Sequence, residues 1–273
     1  MLKPLLASLA YNLPPLRGKH RILFGMIGSL ARRERFTVSR AGVTYELMGE
    51  DWIDYLILSS DYQSGDISRL LAAHIGDRSL CLWDIGANVG AVSLPLLVQC
   101  PNLRSVMFEP SPAVGGRLLR NIAHNPQLQT RAQVVATALS NETRWTQFFV
   151  SNETANSGVG GLAAAPNRER FGPIIQTRRG DELSEIVPPP DVIKIDVEGF
   201  ELDVIEGLGH LLDRNLMIIF EHNLYRFHER GKPQDGVVNF LAAKGYTIRS
   251  LRNKTVDLDK DDDFVASRAA MTP

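Results

Sequence analysis

The stretch Leu80-Cys81-Leu82-Trp83-Asp84-Ile85-Gly86-Ala87-Asn88-Val89-Gly90 constrains the fold more than any other part of the chain. A short apolar run reads as a buried strand; it ends on an acid, and the glycines that follow allow a tight strand-to-helix turn. The helix expected behind it, 91–98, is predicted to offer free backbone N–H groups and a positive dipole end to the turn. A small polar ligand would sit there.

The spacing also restricts the ligand. A dinucleotide fingerprint reads G-x-G-x-x-G and admits a pyrophosphate. Here the pattern is Asp-x-Gly-x-Asn-x-Gly, with Asp84 where an anion would be repelled, and the third glycine is missing. A ligand with a cationic amino group and a nucleoside fits better, and S-adenosylmethionine is such a ligand. A second apolar strand, Val106-Met107-Phe108, also ends on an acid, Glu109, followed by Pro110. An acid about 20 residues past a glycine turn, at the end of the next strand, can accept two hydrogen bonds from ribose hydroxyls. The expected donor contacts are therefore Asp84, Gly86, Asn88, Gly90, Glu109 and Pro110, joined by Asp196 from a later strand.

Three segments, DIGANVG at 84–90, FEP at 108–110 and IKIDVEGFE at 193–201, together resemble the FkbM family of S-adenosylmethionine-dependent methyltransferases, over roughly residues 60 to 267. The first marks only the broad methyltransferase class; its pairing with KIDVEG about a hundred residues later is much more specific. The resemblance implies a Rossmann-like class I methyltransferase fold: α/β, with a mostly parallel seven-stranded sheet flanked by helices. It also implies O-methylation of a hydroxyl on a sugar, glycan or natural-product acceptor, and places Asn121 and Asn125 at the edge of the adenine site. Capping before Pro126 explains Asn125 equally well.

Alternating β and α segments support such a sheet. Strands are expected at 80–85, 104–109, 132–139, 147–150, 191–196, 216–220, 246–249 and 263–267, and helices at 89–99, 112–125 and 233–244. Residues 1–60 form an expected N-terminal extension, with a helix at 19–35 and a strand pair at 36–47 turning at Ala41-Gly42. Residues 61–273 form the expected methyltransferase domain, with a lid-like insertion at 151–176 where periodicity is lost.

Charge excludes one class of partner. A formal net charge of −1 argues against a general nucleic-acid binder, and no Asn/Asp-Pro-Pro-aromatic loop follows the fourth strand. Charge is uneven, however: residues 1–40 hold eight Lys/Arg against one Glu. The 19–35 helix reads either as an extension packed on the domain or in a homodimer contact, or as a basic amphipathic helix resting on a membrane surface. No apolar run reaches the ~18 residues a bilayer span needs. The two cysteines, Cys81 and Cys100, read as reduced core residues, and a cytoplasmic location is expected.

For the chemistry, a hydroxyl acceptor needs a nearby base, because its own proton is held too tightly near neutrality. Asp196, Glu198, Glu221 and His222 stand at predicted strand ends on one sheet edge. Asp196 and His222 rank first among them, His222 because imidazole titrates in the useful range. No metal is assigned, although Asp196, Glu198 or Glu221 could serve as hard oxygen ligands to a divalent cation. The competing non-catalytic reading is a scaffold or sensor that binds S-adenosylmethionine and docks a partner through the N-terminal helix.

Overall fold

Runs such as Val106-Met107-Phe108 and Met217-Ile218-Ile219-Phe220 have no polar face to give to water, and strands of that kind persist inside a parallel sheet covered on both sides. The computed structural model, which describes residues 35–49, 51–59, 65–149, 162, 172–253 and 255–268, builds such a sheet. The expected helix at 19–35, apart from Arg35, and most of the 151–176 insertion lie outside the described residues.

The chain opens with β1 (Arg35–Arg40), β2 (Val43–Met48), α1 (Trp52–Ser59) and α2 (Asp66–Ile75). Then come β3 (Cys81–Ile85), α3 (Ser93–Gln99), β4 (Arg104–Phe108), α4 (Pro112–Ala123), β5 (Ala132–Val135), β6 (Ala138–Leu139), β7 (Arg144–Gln147) and β8 (Ile174–Arg178). The remainder is α5 (Gly180–Leu183), β9 (Val192–Ile195), α6 (Glu201–Gly207), β10 (Met217–His222), α7 (Leu224–Glu229), α8 (Gly236–Ala243), β11 (Thr247–Ser250) and β12 (Asp262–Ser267).

Seven strands form the main sheet in the order β11-β12-β10-β9-β3-β4-β5. From β10 to β5 every pairing is parallel, while β12 runs antiparallel to both its neighbours. The carboxyl ends of β3, β4, β9 and β10 therefore share one edge. Alternation along the strands divides the core between two faces. Leu82, Met107, Val192 and Ile219 pack with Leu94 of α3 and Leu118 of α4. Trp83, Phe108, Ile193 and Phe220 pack on the other side with Val204 and Ile205 of α6.

The β1–β2 hairpin turns at Ala41 (φ 47°) and Gly42 (φ 76°), as a two-residue turn with both centres left-handed requires. A side chain at Gly42 would stand 2.8 Å from Cγ1 of Val98, so the turn tip rests directly on α3. Val43, Tyr45 and Leu47 of β2, and Ile57 and Leu58 of α1, are buried in the same core as Leu82 and Leu94. Asn121 and Asn125 hold this hairpin in place. Asn125 accepts from the Thr44 amide (2.9 Å) and donates to the Thr44 carbonyl (2.7 Å). Asn121 accepts from the Glu46 amide (2.8 Å) and donates to the carbonyl of Val89 (3.0 Å). Both side-chain amides are thus occupied with backbone.

One expected strand divides. Residues 132–135 stay in the main sheet, but at Thr137, whose hydroxyl donates to the Gln176 carbonyl (2.6 Å), the chain leaves it. Residues 138–139 then pair with β8 in a separate three-stranded sheet, β6-β8-β7. Residues 174–176, expected in the insertion, are therefore strand. The strand expected at 147–150 runs instead from Arg144 to Gln147.

Candidate active site

Asp84 is fully buried and faces inward from the end of β3. One oxygen accepts from Ser93 Oγ (2.7 Å), and the other lies 3.2 Å from Lys194 Nζ. The turn that follows needs left-handed backbone at Gly86 (φ 78°), Asn88 (φ 50°) and Gly90 (φ 85°). A Cβ at Gly86 would stand 1.9 Å from the Asp196 carbonyl oxygen, so no other residue fits between β3 and β9 there.

Within the turn itself the amides from Gly86 to Gly90 are all engaged. Gly86 N and Ala87 N donate to the Phe108 carbonyl (3.0 and 3.1 Å), and Gly90 N donates to the Ala87 carbonyl (2.9 Å). Asn88 N donates to Glu109 Oε2 (3.0 Å) and Val89 N to the side chain of Asn88 (2.8 Å). The helix itself starts only at Ser93. With these five donors used, the stretch from Gly86 to Gly90 offers shape and neighbouring acids.

Glu109 closes β4 beside it, almost wholly buried. Its second oxygen accepts from the Ser111 amide (2.8 Å). Burial pushes its carboxyl up to about 7, against the pull of the Ser111 and Asn88 amides and the Lys194 charge, with Asp84 adding to the rise. Each oxygen keeps a second lone pair, so the carboxylate can still accept from a diol. Pro110, partly exposed, carries the chain to Ser111, which caps α4. The residues present therefore fit a donor with a ribose: a glycine turn without room for side chains, and an acid at the neighbouring strand end.

On the other side of the turn, β9 leaves the sheet at Asp196. Its amide donates to the Ile85 carbonyl (3.1 Å), and its side chain, 37% exposed, lies 3.3 Å from Lys194 Nζ. Glu198 sits in left-handed backbone (φ 57°) and accepts from Arg226 Nε of α7 (2.7 Å). Glu201 is fully buried and accepts from the amides of Val197 (3.2 Å) and Gly199 (3.1 Å), which shapes the exit loop. Burial pushes its carboxyl up to about 7. Asp203 pairs with Arg230 (2.9 Å) and Lys232 (3.3 Å), a structural use. Arg230 also donates to the Gly199 carbonyl and covers the Phe200 ring.

Strand alternation decides which candidates meet. In register, Lys194 pairs with Asp84 and with Ile219. Two residues further on, Asp196 and Glu221 share that row and face, next to Asp263, the partner of Glu221. Burial, then the charges of Asp196, Glu198, Glu201 and Asp263, drives the Glu221 carboxyl up to about 9. His222, one residue later, points to the opposite face. It is fully buried, its Nε2 lies 3.0 Å from the Leu258 carbonyl oxygen, and its ring packs against Phe227 and Phe264. The structure thus brings Asp196, Glu198 and Glu221 together and leaves His222 outside the group, because neighbouring residues of one strand cannot share a face. Among the described residues no group of three or more His, Cys, Asp or Glu side chains is arranged to hold a metal ion.

Sequence reasoning missed Lys194. Its signal was a lone charge inside the apolar run Val192–Ile195, at a position where burial demands a partner. It missed Arg226 as well, since no helix was expected at 224–229.

A family model described as the methyltransferase FkbM domain matches residues 84–248. The hexuronic acid methyltransferase AglP of Haloferax volcanii is 29% identical over 206 residues, 74% of this chain and 76% of that protein. The 2-O-methyltransferase NoeI of Sinorhizobium fredii is 28% identical over 174 residues, 59% of this chain and 70% of that one. Among solved structures, methyltransferase FkbM from Methylobacillus flagellatus KT aligns with a TM-score of 0.50 at 16% identity, covering 97% of this chain and 58% of that chain. At that identity the likeness is one of fold.

Proposed function

The chain belongs to the FkbM methyltransferase family, with S-adenosylmethionine as methyl donor, and on that premise we propose that it methylates a hydroxyl group of a sugar or glycan. The observation that carries the proposal is Asp196: a partly exposed carboxylate on the strand adjoining the glycine turn, touching that turn through its own backbone. Names of two relatives, a hexuronic acid methyltransferase and a 2-O-methyltransferase, support a sugar hydroxyl as acceptor.

S-adenosylmethionine supplies a methyl group on a positively charged sulfur, ready for in-line displacement. Every other part falls to the chain. Gly86, Asn88 and Gly90 shape the turn, with Asp84 bracing it from inside. Glu109 accepts the ribose hydroxyls, and Pro110 directs the chain away from them. Asp196 acts as general base, taking the proton of the acceptor hydroxyl as the new bond forms. Glu198 and Glu221 flank it; Glu221, raised to about 9, keeps its proton at neutral pH and adds no charge there. The insertion at 151–176 is proposed as part of the acceptor side.

The test is a mass screen of methyl glycosides and extracted glycans incubated with the protein and S-adenosylmethionine. One methyl group gained on a hydroxyl is expected. Methylation confined to nitrogen or carboxylate groups would reject the sugar-hydroxyl reading. Donor binding without turnover on any acceptor favours the scaffold reading instead.

A further inference from the structure

Lys194 is a buried cation that donor and acceptor chemistry do not by themselves require. Removing an ammonium from water is costly unless it is paired and hydrogen-bonded. Its partners come from three places: the Gly86 carbonyl at 3.0 Å, Asp84 at 3.2 Å and Asp196 at 3.3 Å. The first lies on the donor turn, the second beneath it, and the third on the loop that leaves β9.

The ladder between these two segments stops early. Its last paired residues are Ile85 and Ile195, closed by the bond from Asp196 N to the Ile85 carbonyl. Past that point no ladder bond joins the turn and the loop, although Gly86 still packs on the Asp196 carbonyl. Residues 194 and 196 share a face, so the lysine reaches back to its register partner Asp84 and forward to Asp196 and Gly86 at once. Several carboxyl groups stand around Asp196: Glu198 and Glu201 from the loop and α6, Glu221 from β10, Asp263 from β12. Glu198 has an arginine partner on α7, Arg226, and Asp263 meets Arg252.

We propose that Lys194 is a positioning residue that locks the donor turn and the Asp196 loop into one unit. The cation fixes the distance between the group that holds the donor and the group that faces the acceptor. Its consequence for turnover rests on Asp196 acting as base; the lock itself does not.

Amide hydrogen exchange and kinetics on the full chain test it together. In Lys194→Gln, which keeps a donor but loses the charge, exchange at Gly86–Asn88 and at Val197–Gly199 should quicken by about tenfold, with β12 unaffected. Lys194→Arg should restore protection. On a glycoside methylated in the screen above, Lys194→Gln should lower kcat by about tenfold and leave KM within about twofold; Lys194→Arg should recover kcat. Unchanged exchange at both segments in Lys194→Gln overturns the inference, whatever the acceptor. Faster exchange with kcat unmoved upholds the lock and counts against Asp196 as base. Should Lys194→Gln not fold, Asp84→Asn with Lys194→Met removes both members of the buried pair, and the same two segments decide.

Discussion

On the proposed reading, Asp84 acts on the donor without facing it. Its carboxylate is fully buried and spent on Ser93 and Lys194, so its effect on the donor passes through the turn it anchors. Replacing it leaves the Lys194 cation short of a buried partner and frees Gly86 to shift. Asp84→Ala is expected to abolish measurable binding of S-adenosylhomocysteine by titration calorimetry, and unchanged affinity would refute the role. Asp196 has the opposite character, since its carboxylate is partly open and an asparagine there keeps one oxygen for Lys194 while losing the basic one. Asp196→Asn should therefore bind S-adenosylhomocysteine within about threefold of the parent while kcat drops by roughly 10²–10⁴, the usual worth of a general base. A variant with normal turnover on the true acceptor would remove Asp196 from the chemistry.

Among the elements, the β1–β2 hairpin is tied to the rest by groups no local pattern reveals. Asn125 mimics a strand residue, giving and taking a bond with Thr44, and its amide also donates to the Asn121 carbonyl (2.7 Å). Truncation leaves the Thr44 amide and carbonyl without their partner in a largely buried setting, a loss of roughly 1–3 kcal/mol. Urea denaturation of Asn125→Ala should show that loss, and a midpoint equal to the parent's would mean the hairpin is held by apolar packing alone. What could be read in the chain follows from distance along it. The turn at 84–90 and the acids Glu109 and Asp196 announce themselves because each acid ends its own apolar strand. Asn121 and Asn125 have partners some 75–81 positions earlier, and β6 finds β8 across about half that gap in the chain. The misplacement of His222 has another origin: Glu221 and His222 both end β10, and only the register with β9 tells which face each takes.

At the scale of the whole molecule, the site edge stores carboxyl groups that would rather be neutral. Glu109 and Glu201 are raised from 4.5 to about 7, and Glu221 to about 9, with burial the largest cause each time. Asp54, buried against Arg117 and Asp51, is raised to about 7 as well. An unfolded chain releases these protons near the ordinary carboxylate range, so between that range and the raised values the folded chain binds more protons. Stability therefore falls as pH rises through this window. Asp181 and Asp262 are shifted down, Asp181 by Arg179 and Asp262 by its bonds to Ser250 and Asn253, both against the desolvation of burial. Their contribution is present above the ordinary carboxylate value and is lost at lower pH, so the maximum lies on the acid side of neutral. Urea midpoints measured from pH 4 to 9 should peak near pH 5 and decline steadily to pH 9. Glu221→Gln keeps the shape of the side chain without an ionisable proton, and should make the decline shallower across the whole window from the ordinary carboxylate range upward, leaving it nearly flat above about pH 7, where the other raised carboxyls have already ionised. A profile that rises toward pH 9 in the parent, or one unaltered in Glu221→Gln, would mean that the carboxyl row at the end of β10 is ionised in the folded protein and that some cation other than Lys194 compensates it.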